Sequence, residues 1–306
     1  MRGLTRCLIS LTLFLAACQA VQPSPLPAGS NPKELYVLAA ESFLADMAQA
    51  IAGDREKINT LIPTGVDPHS FEPTPQDVVK IANSQVLIIN GSGYEVWLNK
   101  TLSNAGGERL VIQASTGLTF RTPQPGEIND QADPHFWLDP IHGIKYVEAI
   151  RDGLIQADPQ GKEIYTKNAE SYIARLNSLD QWISGQTASI PLARRQLVTN
   201  HESLGYFADR YGFTIVGAII PSTSTEASPS AQQLAHLADQ IRATNAPAVF
   251  LEIGANHQLA DQLTHETGIK VIDNLYTETL SPPGGPAPDY ITLLKMDTQL
   301  IVSALR

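Results

Sequence analysis

Residues 162–184, KEIYTKNAESYIARLNSLDQWIS, contain neither glycine nor proline. Within them Tyr165, Ala169, Tyr172, Ile173, Leu176, Leu179 and Ile183 recur at the spacing of one helix face. This pattern predicts a single uninterrupted helix of about six turns, on the order of 35 Å long. A rod of that length in mid-chain restricts the fold to arrangements in which it links or buttresses what lies on either side.

The two flanks are alike. Before the rod, apolar runs at 34–40, 57–63, 85–90 and 109–115 read as strands. Helical patterns separate them: one starting at Ser42 as a candidate N-cap, one over 75–84 and one over 94–105. After a polar, aperiodic stretch over 122–134 and the rod itself, the alternation resumes. Strands are expected at 195–200, 213–219, 248–253 and 270–276, with a helix ended by Gly212, a capped helix over 228–246 and a helix with Gly268 at its C′ position. A last helix is expected near 289–305. Strands alternating with helices imply parallel sheets. The fold class is therefore α/β: two similar α/β lobes with parallel sheets, residues 33–160 and 191–306, joined by one long rigid helix within 161–190. Ligand would sit in the cleft between the lobes, outside the carboxyl ends of the strands. A stiff link predicts small, local closure rather than a wide hinge swing.

The N-terminus is not part of this pattern. Arg2 and Arg6 precede a short apolar segment that ends Leu15-Ala16-Ala17-Cys18. It reads as an export signal over 1–18, and small residues before a cysteine resemble a bacterial lipobox, which makes Cys18 the expected lipidation site. A Pro-, Ser- and Gln-containing stretch over 19–32 reads as a flexible tether. The protein is thus expected in the periplasm or at the outer face of the cytoplasmic membrane, anchored by lipid. The other cysteine, Cys7, leaves with the signal, so the folded part has no thiol. A metal site there must use His, Asp and Glu. The net charge of −10 and the lack of a basic cluster argue against nucleic acid as a partner.

Seven histidines remain to be placed. His69 lies in GVDPHSFEPTPQD, 65–77, held between Pro68 and Pro73, after the second expected strand. His135 lies in DPHFWLDP, and His201 directly follows a strand in LVTNHESLGYF. These three fall at loops or strand ends of both lobes, where a cleft-lining set would come from; on position alone, structural histidines and ligands both stand as readings. His142, His236, His257 and His265 read as ordinary solvated or locally bonded residues. HExxH, GxGxxG, Walker A and GxSxG patterns are absent.

Five motifs, GVDPHSFEPTPQD, DPHFWLDP, LVTNHESLGYFADRYG, AVFLEIG and LYTETLSPPG with the following DYITLLKMD, occur in one order along nearly the whole chain after the signal. Together they resemble the zinc and manganese solute-binding proteins of ATP-binding-cassette importers, a cluster of bacterial metal-binding lipoproteins. The resemblance implies a protein that is not an enzyme and that captures a divalent ion for a membrane permease. It implies His69, His135 and His201 as ligands, with Glu278 as the fourth. The family usually has aspartate at that last position, and Thr277-Glu278-Thr279 here makes the carboxylate one methylene longer. Glu252 is a spare carboxylate. Glu72, Asp133, Asp139 and Glu252 are candidates to orient the imidazoles. Three imidazoles and one carboxylate suit zinc; manganese, which prefers more oxygen, is the alternative. The histidine-rich loop of many zinc members is missing over 119–134. Affinity is expected to fall below about pH 6 as histidines protonate. Three other readings carry less support: a surface adhesin with a structural metal, an exported zinc hydrolase, and a cobalamin or siderophore binder. A monomer is the expected state in each of the metal-carrier readings.

Overall fold

Strand β1 (Val37–Ala39) is followed by α1 (Ser42–Ala52), β2 (Ile58–Thr60), α2 (Pro75–Asn83), β3 (Val86–Ile89), α3 (Leu98–Ala105) and β4 (Leu110–Gln113). The computed structural model describes residues 35–127 and 132–306; the expected signal, Cys18 and the expected tether lie outside them. These four strands form one parallel sheet in the order β2-β1-β3-β4. β1 and β3 are apolar and buried throughout, as strands covered on both faces must be.

The second half repeats the plan. After α4 (Pro140–Ala157) and α5 (Lys162–Thr187) come β5 (Gln196–His201), α6 (Gly205–Tyr211), β6 (Thr214–Ile220), α7 (Ala231–Thr244), β7 (Ala248–Glu252), α8 (His257–Thr267), β8 (Lys270–Leu275) and α9 (Tyr290–Leu305). The second sheet is also parallel, in the order β6-β5-β7-β8. In both sheets the chain begins on an inner strand, steps to one edge and then crosses back. Each sheet therefore has a switch point, between β1 and β3 and between β5 and β7, where adjacent strand ends diverge and leave a crevice.

The long helix is α5. Its buried face, Tyr165, Ala169, Tyr172, Leu176, Leu179, Ile183 and Thr187, is the stripe read from sequence, with Ile173 at its margin. It packs on α1 and α4 and also on α9 and α6, so one rod supports both lobes.

Three local features differ from expectation. No helix is expected over 140–157 from the sequence, yet α4 forms there. Asp139 caps it by accepting from Ile141 N, with Pro140 in the first turn, but Gly143 and Gly153 dilute its helical signal. Gly143 is required there, because a Cβ would lie 2.7 Å from the Tyr290 hydroxyl. Ser42 is the first residue of α1 rather than its cap, and its hydroxyl serves a distant loop. Helix α3 begins at Leu98, not at 94. The helix over 228–246 is capped as expected, by a Ser230–Gln233 capping box, and Gly212 and Gly268 end their helices in the left-handed conformation; α2 carries a further capping box, Thr74–Asp77.

Candidate metal centre

The loops after β2 and before α4 carry the same Asp-Pro-His sequence, and they fold by the same device. Asp67 Oδ1 accepts from His69 N at 2.8 Å, and Asp133 Oδ1 accepts from His135 N at 2.9 Å. A short carboxylate side chain that bonds the backbone two residues on fixes a tight turn, and proline at the intervening position stiffens it. Each turn presents its imidazole inward. His201 ends β5 at the switch point of the second sheet. Glu278 sits in the loop that follows β8.

These four side chains, all buried, converge. His69 Nε2 and His201 Nε2 each lie 3.0 Å from Glu278 Oε1, and His135 Nε2 lies 3.3 Å from it. His135 Nε2 is 3.4 Å from His69 Nε2 and 3.3 Å from His201 Nε2. All four candidate ligand atoms fall within 4.8 Å of one another. The longer side chain at 278 reaches the centre with a single oxygen.

Of the four carboxylates weighed as orienting partners, two stand behind imidazoles. Asp133 Oδ1 is 2.8 Å from His135 Nδ1 and accepts its proton, which leaves the Nε2 lone pair facing the centre. Glu252 Oε1 lies 2.8 Å from His201 Nδ1, an ion-pair contact rather than an aligned hydrogen bond, and is itself held by the Ser203 hydroxyl at 3.0 Å. Glu252 therefore stands behind a candidate ligand and outside the four-residue cluster. Asp139 caps α4 and pairs with Arg210, and Glu72 is exposed; neither touches an imidazole of the cluster. Trp137 is fully buried and stacks on Phe43, and its indole N–H donates to Thr277 O at 2.7 Å. Tyr94, buried with its ring 4.9 Å from that of His69, is a wall residue that no sequence motif singles out.

The charges suit a cation at the centre of the cluster. Burial opposes protonation of His201, but Glu252 and Glu278 beside it raise its pKa well above the ordinary imidazole value. Burial also acts against charge on His135, and the bonds to Asp133 and Glu278 again leave it raised. Burial alone would raise Glu278; the surrounding imidazoles outweigh it and hold the carboxyl well below the usual range. The ligand set thus favours positive charge at its centre, which protons and a dication would compete to supply.

A cavity of about 350 Å³ opens beside the cluster, lined by Asp67, Thr225, Glu226, Glu252, Thr277 and Glu278 among others.

The family model described as zinc-uptake complex component A, periplasmic, matches residues 37–304. The chain belongs to this family. It is a binding component, not an enzyme. It is 32% identical over 295 residues to the manganese-binding lipoprotein MntA of Halalkalibacterium halodurans, covering 96% of this chain and 95% of that one. It is 30% identical over 278 residues to the iron ABC transporter substrate-binding lipoprotein MtsA of Streptococcus pyogenes serotype M1, covering 89% of each. Among solved structures, the periplasmic zinc-binding protein TroA from Treponema pallidum superposes with a TM-score of 0.82 at 26% identity, covering 89% of this chain and 99% of that one. The two-lobed fold is shared, and the three relatives carry three different metals in their names.

Proposed function

We propose that the protein captures a divalent metal ion outside the cytoplasm, zinc before manganese, and delivers it to the permease of an ABC importer. The observation that carries this reading is the convergence of His69, His135 and His201 Nε2 with Glu278 Oε1. The five separations that join them, 3.0–3.4 Å, approach the tetrahedral edge of about 3.3 Å set by zinc–ligand bonds of about 2.0–2.1 Å. Four protein ligands close the shell, which suits a carrier; a hydrolytic zinc keeps a position open for water. Manganese is the second reading, favoured by the manganese-binding relative and by the lack of histidine over 119–134. Export by residues 1–18 and lipid attachment at Cys18 would hold the carrier beside its permease, and a monomer would serve.

The test is a metal count on protein lacking residues 1–18, stripped and then offered equimolar Zn²⁺ and Mn²⁺. One zinc per chain is the expected result. Preferential manganese would change the cargo and keep the site. Absence of any stoichiometric metal would sink the reading.

A further inference from the structure

Glu278 follows the second sheet in sequence, but the bonds around it run to the first lobe. Up to Tyr276 the chain stays with the second lobe: Ile253 N donates to Leu275 O at 2.9 Å, and Tyr276 N donates to Asp297 Oδ1 on α9 at 2.8 Å. From Thr277 onward the partners change. Trp137 Nε1 donates to Thr277 O at 2.7 Å. Gly65 N, in the His69 loop, donates to Thr279 Oγ1 at 2.9 Å. Leu280 N donates to Ser42 Oγ at 2.9 Å, and the two hydroxyls of Ser42 and Thr279 lie 3.4 Å apart. Ser42, Thr277, Thr279 and Trp137 are all buried, so the Trp137–Thr277 and Leu280–Ser42 bonds are shielded from competing water.

We infer that Ser42, Trp137 and Thr279 are positioning residues that make Glu278 part of the first lobe's ligand set, so that His69, His135 and Glu278 form a standing three-ligand cradle and the ion is freed by withdrawal of His201 alone. This inference rests on the metal-carrier reading above.

His201 is the odd member of the set. Its supports lie wholly in the second sheet: Glu252 at the end of β7 behind Nδ1, and the Thr199 hydroxyl, which donates to His201 O at 2.7 Å. The withdrawal is local to the β5–α6 turn, because α6 itself is tied across the cleft: the Tyr206 hydroxyl donates to Asp133 O at 2.9 Å, and Arg210 pairs with Asp139 at 3.2 Å. At the mouth of the cavity, Thr225 Oγ1 donates to Asp67 Oδ2 at 2.6 Å. That bond reaches from the second lobe to the turn holding His69, and both residues line the cavity beside the cluster. A permease therefore needs to move one turn and one strap, not a lobe.

The experiment follows zinc. Parent protein, Ser42→Ala/Thr279→Val, Ser42→Ala alone, Thr279→Ser, His201→Ala and Glu278→Ala are each loaded with Zn²⁺. Release to excess chelator is timed by stopped flow, and the visible spectrum of the Co²⁺ forms reports coordination. The double variant is expected to release zinc about 10- to 100-fold faster, the range for loss of groups that orient a ligand. The Ser42→Ala variant should move in the same direction, and Thr279→Ser, which keeps the hydroxyl, should restore the parent rate. His201→Ala should still hold one zinc, more weakly, with a Co²⁺ spectrum that reports the lost nitrogen. Release from the double variant, or from Ser42→Ala if the double variant does not fold, within twofold of the parent rate overturns the inference. So does a His201→Ala protein that holds no zinc beside a Glu278→Ala protein that does. A parent that takes up no metal fails the carrier reading itself, a result separate from either of these.

Discussion

At the scale of single residues, the centre is a set of neutralised opposites. Imidazoles around the buried Glu278 favour its ionised form, and Glu252 and Glu278 beside His201 favour its protonated form. An entering dication must displace those protons. Proton competition therefore begins above the ordinary imidazole value of about 6.5, higher than histidines in isolation imply. Glu252 sets much of this balance for His201 while also holding its ring. Glu252→Gln is expected to weaken zinc binding about 10- to 100-fold at high pH, as loss of an orienting carboxylate does. The same change should lower the pH at which affinity begins to fall, because His201 loses the larger of its two acidic neighbours. Chelator competition across pH reads both effects. An unchanged onset would mean that Glu252 does not govern His201.

At the scale of elements, the loop carrying Glu278 depends on α9. Asp297, fully buried there, accepts from Tyr276 N, and burial pushes its pKa up to about 8. Its unfolded value is near the ordinary carboxylate range, so the folded protein binds an extra proton between the two. That contribution is fully present below the unfolded value and is lost as pH rises through about 8. Asp297→Asn keeps an acceptor for Tyr276 N and removes the titration. The metal-free variant should show a flatter stability profile and, near pH 9, a Tm about 2–4 °C above the parent, the shift that 1 kcal/mol gives in a chain of this size. Equal slopes in the two proteins would show that Asp297 does not carry this proton.

The same elements show what local sequence can and cannot convey. The stripe from Tyr165 to Ile183 predicts α5 because one face of a helix is written in adjacent turns. The strands are legible because parallel, doubly covered strands are short apolar runs. The positions of His69, His135 and His201 in loops and strand ends follow from that map. Helix α4 is hidden by its two glycines, Gly143 packed on Tyr290 and Gly153 on Ile112. The choice among carboxylates was equally illegible: Asp133 backs an imidazole and Asp139, in the same motif, caps a helix. Ser42 looks like a cap and instead receives Leu280 N. Such assignments are decided by contacts between residues far apart in the chain, which no periodicity records.

At the scale of the whole molecule, α5 and the bonds that cross the cleft make large rearrangement costly. The rod contributes a face to both lobes. Arg121 pairs with Glu127 and Asp209, and Gln124 donates to Asp209 and receives Ile215 N at 3.0 Å, so the segment after the first sheet is strapped along the second. Gly126 lets that strap approach β6, where a Cβ would lie 2.0 Å from Ile215 O. Metal should therefore change stability far more than shape. A ligand that binds only the folded state stabilises it by about 2.7 kcal/mol at a hundred times its Kd. At about 2–4 °C per kcal/mol, zinc at that excess is expected to raise Tm by about 5–11 °C. Small-angle scattering of the same samples should show overlapping curves for stripped and loaded protein, because moving the β5–α6 turn and the Thr225 strap leaves the mass distribution nearly unchanged. A contraction in radius of gyration on loading would mean that the lobes swing despite α5, and that the cradle on the first lobe is completed by domain closure rather than by the arrival of one histidine.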